Sequence, residues 1–347
     1  MTQPEPARDV LTVNAGSTSV KVTRFEAADS DGQPASLDEA LDGPAPRAVI
    51  HRIVHGGERT EPEVLDDRAV SQLRELTDLA PLHQPPALDA VDRCRERWPE
   101  ATHAACFDTA FHAAMPSGAR TYALPRRWRE RVRVYGFHGL AHAWASGRAS
   151  AAVPQARRVL TAHLGGGASL CAVHDGRSIA TTMGFTPLDG LVMATRAGTI
   201  DPGALLWMAD HTDENLEHVL DSESGLLGLC GTGDMREVER RWRAHDDAAR
   251  LAMDVWVHRF LRQAGGMIAV LGGLDALVFS GGVGEHSAFV RGLVADGLGW
   301  LGVAIDDSVE VDDTLTDVSA PDAAVRTFVV HAREDLQMLA EAEPLLQ

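Results

Sequence analysis

Two strand–turn–strand units recur in this sequence and limit the folds that it can adopt. Residues 10–25 and 158–173 each join two apolar strands through a turn of small residues. Apolar and polar residues that alternate around such a turn are typical of a β-hairpin. We interpret the two hairpins as equivalent elements of two related α/β halves, with a boundary near residue 150.

The length of 347 residues also predicts about two domains. Residues 27–46 are acidic and weakly patterned, and we expect an exposed loop there. We place the N-terminal domain at 1–149, joined by a closing helix at 335–347, and the C-terminal domain at 150–334. Apolar periodicity predicts further strands at 48–54, 105–107, 276–279 and 325–330, and helices at 67–79, 86–98, 140–152, 246–271, 285–298 and 333–342.

Composition narrows the class of protein. The formal net charge of −18 argues against binding to nucleic acid or to an anionic membrane, since both need basic surfaces. The four cysteines are scattered without a C-x-x-C pair, which favours reduced thiols over a disulfide framework or a zinc site. The acidic start does not resemble a signal peptide, and no apolar stretch is long enough to span a bilayer. We therefore expect a cytoplasmic globular protein.

Three glycine-containing turns each follow a buried strand. Backbone N–H groups in such turns form nests for anions, and glycine lets a phosphate approach the main chain closely. The third turn also leads into a helix, whose N-terminus adds partial positive charge. Because none has the Walker or the G-x-G-x-x-G spacing, together they predict a nucleotide-phosphate site of another type. The turns lie at 14–17, 164–167 and 280–285.

The cations near these turns are unusual. Lys21 is the only lysine of the chain and closes the segment that contains the first turn. Lysine and arginine are not interchangeable, so a single ammonium in an arginine-based chain indicates a specific contact, here with phosphate. Arg52 and Arg196 lie in apolar segments, and buried arginine is uncommon unless it is paired. They are candidates for clamping phosphoryl or carboxylate oxygens; the alternative is an internal salt bridge with Asp108 or Asp201.

Other polar residues allow more than one interpretation. Asp108 follows a strand end, where it could hold a metal ion or orient a nucleophile, but an Asp-Thr pair is also typical of a helix N-cap. His138 and His142 are four residues apart, which is compatible with zinc on a helix, although no third ligand is near in sequence. A His138 that donates to a phosphoryl group fits the neighbouring motifs better.

Motifs along nearly the whole chain resemble those of the acetate kinase family of acyl-phosphate-forming kinases. The stretch MGFTPLDGLVMATRAGTIDPG at 183–203 is highly specific. The others, in chain order, are VNAGSTSVK at 13–21, HRIVHGGE at 51–58, APLHQP at 80–85, FDTAFHAAMP at 107–116, YGFHGLAH at 135–142, HLGGGAS at 163–169, SGLLG at 224–228, DMREV at 234–238, FSGGVGEHS at 279–287 and EDL at 334–336.

The resemblance implies an α/β fold of the actin-like ATPase superfamily, in which two ribonuclease-H-like domains hold nucleotide in the cleft between them. It implies in-line, reversible transfer of the ATP γ-phosphoryl group to a short-chain carboxylate, acetate above all, to give an acyl phosphate and ADP. Preference for propionate or butyrate is the alternative. Mg²⁺ is the expected metal ion, with Mn²⁺ as an alternative, and a homodimer is the expected assembly.

The resemblance also implies roles for individual residues. Arg52 is expected to bind the carboxylate, and Asp108 to orient it or the metal ion. His138 and Arg196 would stabilise charge on the moving phosphoryl group. Asn14 and Glu334 are the expected metal-associated residues, and the acyl pocket is implied at Val54, Leu82, Phe137 and Pro187. The implied ATP-binding set is Ser17, Ser19, Lys21, His163, Leu164, Gly165, Gly166, Gly167, Asp234, Met235, Arg236, Gly282, Val283, Gly284, Glu285 and His286.

The sequence departs from the family pattern at several positions. Gly166 replaces the usual Asn of an HLGNG turn, which leaves only backbone donors there. Butyrate kinases carry HLGGG as well, but lack the segments at 51–57 and 183–190. His286, Gln84 and Arg333 each stand where the family has Asn, and the stretch before residue 51 is shorter than usual. These changes bear on acyl preference and turnover more than on reaction class.

Two other functions stay open. A sugar kinase on the same scaffold needs a carboxylate base to deprotonate a hydroxyl group, whereas arginine and histidine surround this candidate site. A nucleotide-binding module without catalysis is the second, and it is motivated by Gly166 and the shortened first domain.

Overall fold

The computed structural model describes residues 9–16, 20–26, 31–81, 83–312 and 314–346. They form two compact units. The first unit contains the described residues up to Ala113, together with 137–140 and 333–346. The second contains 114–136 and the described residues of 141–332.

Each unit is built on its own sheet. The strands are β1 (Val10–Ala15), β2 (Val20–Phe25), β3 (Gln33–Ala35), β4 (Ala48–Ile53), β5 (Glu63–Val64), β6 (Thr102–Phe107), β7 (Arg158–Leu164), β8 (Ala168–His174), β9 (Arg177–Thr181), β10 (Ala276–Ser280), β11 (Leu315–Asp317) and β12 (Arg326–Val330).

Helices connect and cover these strands. They are α1 (Leu37–Asp42), α2 (Asp67–Arg74), α3 (Gln84–Arg97), α4 (Ser117–Arg120), α5 (Arg126–Arg129), α6 (Gly139–Ala152), α7 (Pro202–His211), α8 (Leu216–His218), α9 (Gly225–Cys230), α10 (Met235–Arg243), α11 (Asp247–Leu271), α12 (Gly281–His286), α13 (Ala288–Leu298) and α14 (Glu334–Ala342). A π-helical turn at Val219–Glu223 follows α8.

The two sheets share one topology. Their strand orders are β3-β2-β1-β4-β6-β5 and β9-β8-β7-β10-β12-β11. In the first sheet β1, β4 and β6 are parallel and β2 is antiparallel to β1. In the second, β7, β10 and β12 are parallel and β8 is antiparallel to β7. The two sequence hairpins therefore occupy equivalent places, and the predicted α/β fold is confirmed.

The first sheet is covered on both faces. Side chains alternate along a strand, so Val10 and Leu11 of β1 point to opposite faces. Leu11 packs in one apolar cluster with residues of α2 and α3, whereas Val10 packs in another with residues of α14. Burial on both faces explains why the central strands are nearly continuous apolar runs.

Most predicted helices and strands are confirmed, with shifted ends. The predicted helix over 285–298 is interrupted, because Ser287 caps α13 by accepting a hydrogen bond from Val290 N. The expected loop over 27–46 is wrong at 33–35 and 37–42, where β3 and α1 lie, whereas 27–30 are outside the described residues. Ser36 and Glu39 form a capping box at the start of α1, a signature that the acidic composition masked.

Contacts group residues 114–136 and 141–149 with the second unit, whereas the sequence placed them in the N-terminal domain. Helix α6 shows the reason. Trp144 Nε1 donates to His331 O at 2.9 Å, and the His142 ring hydrogen-bonds to Thr161 and Ser169 at 2.8 Å each. No helix in the described part of the chain has the length and apolar character needed to cross a membrane.

The first unit buries four histidines, and three of them, His51, His103 and His112, have shifted pKa values. His51 stacks on His103, with His51 Nε2 and His103 Nδ1 3.3 Å apart. His112 Nε2 lies 3.0 Å from the carbonyl oxygen of Phe137, to which it donates when the ring is protonated there. Burial lowers the pKa of all three rings, and that of His112 to about 4. The folded state therefore favours their neutral forms.

We predict that the unit loses stability as the pH falls from 7 to 5. The pKa of His112 is 6.5 when unfolded and about 4 when folded, so the unfolded state binds more protons in this window. His112→Gln removes this contribution and should reduce the loss between pH 7 and pH 5 by about 2 kcal/mol. Urea unfolding followed by circular dichroism measures it, with His258→Gln on the exposed side of α11 as control. Equal pH dependence in wild type and His112→Gln would contradict the prediction.

Candidate active site

Polar side chains gather where the parallel strands of the first sheet end. Asn14 of β1 is the register partner of Arg52 of β4. Asp108 directly follows β6, and its backbone N–H donates to Ile53 O of β4 at 3.1 Å. Glu334 begins α14. The carboxyl ends of parallel strands share one edge of the sheet, which is a common location for ligand sites in α/β proteins.

These four residues, which we call the Arg52 cluster, form one hydrogen-bonded network. Arg52 Nε and Nη2 donate to the two carboxylate oxygens of Asp108 at 3.0 and 2.6 Å. Arg52 Nη1 donates to Asn14 Oδ1 at 2.9 Å, and Asn14 Nδ2 donates to Glu334 Oε2 at 2.6 Å. Arg52 Nη1 and Glu334 Oε2 are 3.8 Å apart. Arg52 and Asp108 thus form the internal salt bridge that the sequence allowed as an alternative.

Burial and charge oppose one another in this cluster. Burial works against the charge on Arg52, but Asp108 and Glu334 outweigh it and raise the pKa of the guanidinium. Burial raises the pKa of Asp108, while Arg52 opposes that rise by favouring the carboxylate. The cluster therefore holds a guanidinium cation among hydrogen-bond acceptors. Hydrogen bonds between charged groups are strong there because the dielectric constant of a buried site is low.

The same oxygens are suitable for a hard divalent cation. Asn14, Asp108 and Glu334 offer amide and carboxylate oxygens within one network. Mg²⁺ is commonly bound through one or two carboxylates and substrate phosphates, not by an all-protein cage. Among the described residues no group of three His, Cys, Asp or Glu is placed to hold a metal ion alone. The donor set fits Mg²⁺ that a substrate helps to hold, and it offers no support for the zinc alternative.

The backbone of His138 contacts Asp108 of this cluster and has an unusual conformation. Its φ of 59° is unusual for a residue other than glycine, and strained backbone often occurs at functional sites. A hydrogen bond from the His138 backbone lowers the pKa of Asp108. Gly139 N donates to Asp108 O at 2.9 Å, and a Cβ at Gly139 would lie 2.2 Å from that oxygen. Only glycine permits this approach.

The expected acyl-pocket residues are distributed over both units. Val54 and Phe137 are buried in the first unit, where the Phe137 ring contacts the ring of His55 at 5.7 Å between centroids. The Gln84 side chain hydrogen-bonds to both backbone groups of His55 at 3.1 and 3.2 Å. Pro187 is buried in the second unit. Leu82 lies outside the described residues.

The second unit contains a cavity of about 400 Å³ between its glycine turns and α10, which we call the glycine-turn cavity. This volume is in the range of small-molecule sites. Of the implied ATP-binding residues, those that line it are Leu164, Gly165, Gly166, Asp234, Met235, Arg236, Gly282, Val283 and His286. The walls also include Met193, Ala194, Leu226, Glu239, Trp256 and Ser287, to which the sequence analysis assigned no role in ATP binding.

Other members of the implied ATP-binding set do not line this cavity. His163 Nδ1 lies 3.1 Å from Ser280 Oγ, which ties the second turn to the third. The Glu285 carboxylate accepts hydrogen bonds from Gly281 N at 2.8 Å and Ala332 N at 3.1 Å, so its side chain supports the turn from inside. Gly167 and Gly284 are also absent from the lining. Lys21 is exposed opposite Asn14, whereas Ser17 and Ser19 lie outside the described residues.

Arg196 of the second unit is held by an acid that the sequence did not indicate. Its Nε donates to Asp221 Oδ1 at 2.7 Å. Asp201, the partner considered from the sequence, instead caps α7 by accepting a hydrogen bond from Gly203 N. Asp221 was missed because a lone Asp in a polar segment has no distinctive local signal. Trp256 was missed because an aromatic residue on a long helix usually indicates packing.

Comparison with known proteins gives one consistent result. A sequence model described as the Acetokinase family matches residues 45–341. An acetate kinase of Nostoc punctiforme is 43% identical over 300 residues, which cover 83% of this chain and 73% of that protein. An acetate kinase of Acetivibrio thermocellus is 40% identical over 311 residues, or 86% of this chain and 78% of that protein.

Solved structures are similar over nearly the whole chain. An acetate kinase of Porphyromonas gingivalis superposes with a TM-score of 0.88 and 29% identity, covering 98% of this chain and 100% of its own. A propionate kinase of Francisella tularensis superposes with a TM-score of 0.86 and 32% identity, covering 96% and 98%.

We predict different responses to alanine at two glycines beside the glycine-turn cavity. Gly281 has a φ of 77°, and its Cβ would lie 2.7 Å from Leu164 O, whereas a Cβ at Gly166 meets nothing within 4 Å. Gly281→Ala should therefore cost about 1–3 kcal/mol in stability. Gly166→Ala should stay within about 0.5 kcal/mol. Thermal unfolding and ADP calorimetry measure both; a tolerated Gly281→Ala with unchanged ADP affinity would refute this account of the turn.

Proposed function

The chain belongs to the acetokinase family, and we propose that it transfers the γ-phosphoryl group of ATP to a short-chain carboxylate, acetate first, in a reversible reaction. The products are an acyl phosphate and ADP. The observation that carries the proposal is the Arg52 cluster. Three of the five guanidinium N–H groups donate to Asp108 and Asn14 among the described residues, which leaves donors for a further carboxylate.

A carboxylate substrate is already a nucleophile, so the reaction requires no general base. Catalysis then consists of aligning two anions and stabilising charge on the phosphoryl group in flight. In this proposal Arg52 binds the substrate carboxylate, and Asp108 holds the guanidinium in place. Arg196 and His138 donate to the phosphoryl oxygens as charge develops on them.

Binding of the two substrates is proposed at different residues. The acyl group is assigned to four apolar residues, Val54, Leu82, Phe137 and Pro187. The glycine-turn cavity would take the adenosine part of the nucleotide. Ser17, Ser19, Lys21 and His163–Gly167 would contact its phosphates. Gly166 contributes backbone groups only, which is compatible with phosphate binding because nests are built from backbone N–H groups.

Asn14 and Glu334, with Asp108 nearby, would hold Mg²⁺, for which Mn²⁺ is an alternative. When bound, the ion neutralises phosphate charge and thereby lowers the repulsion between the two anionic substrates. The chain contributes the oxygen donors and their orientation. Asn14 is fixed from both ends of its amide, since Oδ1 accepts from Arg52 while Nδ2 donates to Glu334.

We also propose that the chain is a cytoplasmic homodimer. Helix α7 supports the dimer, because Leu206 and Trp207 are 69% and 61% exposed on a mainly apolar helix with no buried side chain. Exposed apolar surface of this kind often marks an interface. The four cysteines are free and buried, which is compatible with a reducing compartment.

The reaction is tested by trapping acyl phosphate with hydroxylamine. Mg-ATP is supplied with acetate, propionate, butyrate or no acid. We expect acid-dependent hydroxamate and the highest kcat/KM for acetate, since one methylene in an apolar pocket changes kcat/KM by about 10–200-fold. The highest kcat/KM for propionate would identify a longer-chain kinase. No hydroxamate from protein that binds ATP would refute the kinase proposal and favour a binding module.

Two arginine variants should affect different kinetic constants. Arg52→Ala should mainly raise KM for the carboxylate, because it removes a contact already present in the bound substrate. Arg196→Ala should lower kcat at least about 100-fold, because it removes stabilisation of the transition state. Arg126→Ala, at an exposed ion pair with Glu130, is the matched control. Steady-state hydroxamate assays measure all three; a near-wild-type kcat for Arg196→Ala would remove Arg196 from the mechanism.

A further inference from the structure

Asp221 is a buried acid of the second unit that belongs to none of the sequence motifs. It lies in the π-helical turn Val219–Glu223. Besides Arg196 Nε, its carboxylate accepts a hydrogen bond from Ser222 Oγ at 3.2 Å. The side chains of Arg196 and Asp221 are only 12% and 13% exposed, so salt screens their interaction weakly.

The turn that carries Asp221 also holds the loop that carries Arg196. Hydrogen bonds join residues 193–195, just before Arg196, to Asp221 and to residues 224–227 after it. These bonds run from Thr195 Oγ1 to Asp221 O at 2.6 Å, and at 2.9 Å each from Ser224 N to Thr195 O, Leu226 N to Met193 O and Leu227 N to Ala194 O.

Gly225 permits this close approach. Its φ is 62°, and a Cβ there would lie 2.3 Å from Met193 O and 2.7 Å from Arg196 O. Any larger residue would push the Asp221 segment away from the arginine loop. The short distance between the two backbones therefore depends on glycine at position 225.

The arginine loop also forms a wall of the glycine-turn cavity. Met193 and Ala194 line the cavity, as does Leu226 from the Asp221 side. Ala194 N donates to Gly166 O at 3.1 Å. The support of Arg196 and the cavity wall therefore belong to one hydrogen-bonded structure.

We propose that Asp221 is a positioning residue for Arg196 in phosphoryl transfer; this inference rests on the function proposed above. Asp221 takes the Nε–H, the innermost donor of the guanidinium, and so fixes the plane of the group. Arginine has large side-chain entropy, and ordering it before the reaction removes that cost from the transition state. Asp221 itself does not contact the reacting atoms in this role.

The expected result is a loss of kcat without loss of binding. Asp221→Ala should lower kcat by about 10–100-fold, the range seen for residues that orient the ligands of a metal ion. KM for ATP and for the carboxylate should change by less than about threefold, because the affected contact forms in the transition state. Asp221→Asn keeps an acceptor for Nε but not the charge, so its kcat should fall less.

A double-mutant cycle separates positioning from a purely structural role. If Asp221 acts through Arg196, Asp221→Ala should change kcat by less than about twofold in the Arg196→Ala background. Equal losses of kcat in both backgrounds overturn the proposal. So does a kcat of Asp221→Ala within about twofold of wild type. Asp221→Asn enters the same cycle if Asp221→Ala does not fold, as judged by thermal unfolding and ADP calorimetry.

Asp246→Asn is the matched control. It removes the charge from another arginine pair of the same unit, in which Arg241 Nη2 lies 2.9 Å from Asp246 Oδ2. Its amide can still cap α11, so kcat should equal that of wild type; a loss as large as that of Asp221→Asn would overturn the specific role of Asp221. Absence of wild-type hydroxamate formation would refute the proposed function. Wild-type activity that is insensitive to Asp221 would refute only the positioning role.

Discussion

The ion pair between Arg52 and Asp108 is the interaction on which the first unit's polar cluster depends. Asp108 is almost completely buried, and two hydrogen bonds join it to the guanidinium. Breaking a buried pair by removing one partner typically costs about 3–5 kcal/mol, because the remaining charge is left uncompensated. Asn14 accepts a hydrogen bond from the same guanidinium and donates one to Glu334, so both residues are joined to this pair. The pair forms because β4 and β6 are parallel and end together.

Both units hold an arginine by a buried carboxylate, Arg52 by Asp108 and Arg196 by Asp221. The chain carries a formal net charge of −18, so the long-range field repels anionic substrates. Attraction must come from donors at short range, in sites of low dielectric where hydrogen bonds to charged groups are strong. The partner carboxylates reduce the local positive charge, but they fix the direction of each guanidinium. Directional donors suit the planar oxygens of carboxylate and phosphoryl groups.

Local patterns in the sequence were sufficient for much of the fold and for part of the site. Alternation around small residues predicted both hairpins, and three glycines of the predicted turns, Gly165, Gly166 and Gly282, line a cavity. The loop expected over 27–46 was wrong at 37–42 because acidic composition was given more weight than the Ser36–Glu39 capping signature. Glu285 was expected at the nucleotide, yet its carboxylate bonds to Gly281 and Ala332. Whether a polar side chain faces a cavity or the backbone depends on its rotamer and on the packing around it. A sequence motif does not specify either of these.

The sequence by itself determined most of the element types, the equivalent hairpins and the glycine turns that follow buried strands. These depend on interactions between residues close along the chain, such as side-chain alternation, capping and the φ values that glycine permits. Only the tertiary structure decided the ion-pair partners: Arg52 lies 56 positions from Asp108, and Arg196 lies 25 positions from Asp221. Any of several acids in this acidic chain could satisfy an arginine equally well by charge. The choice depends on which backbones the sheets and turns bring within hydrogen-bonding distance, and that is a property of the packed fold.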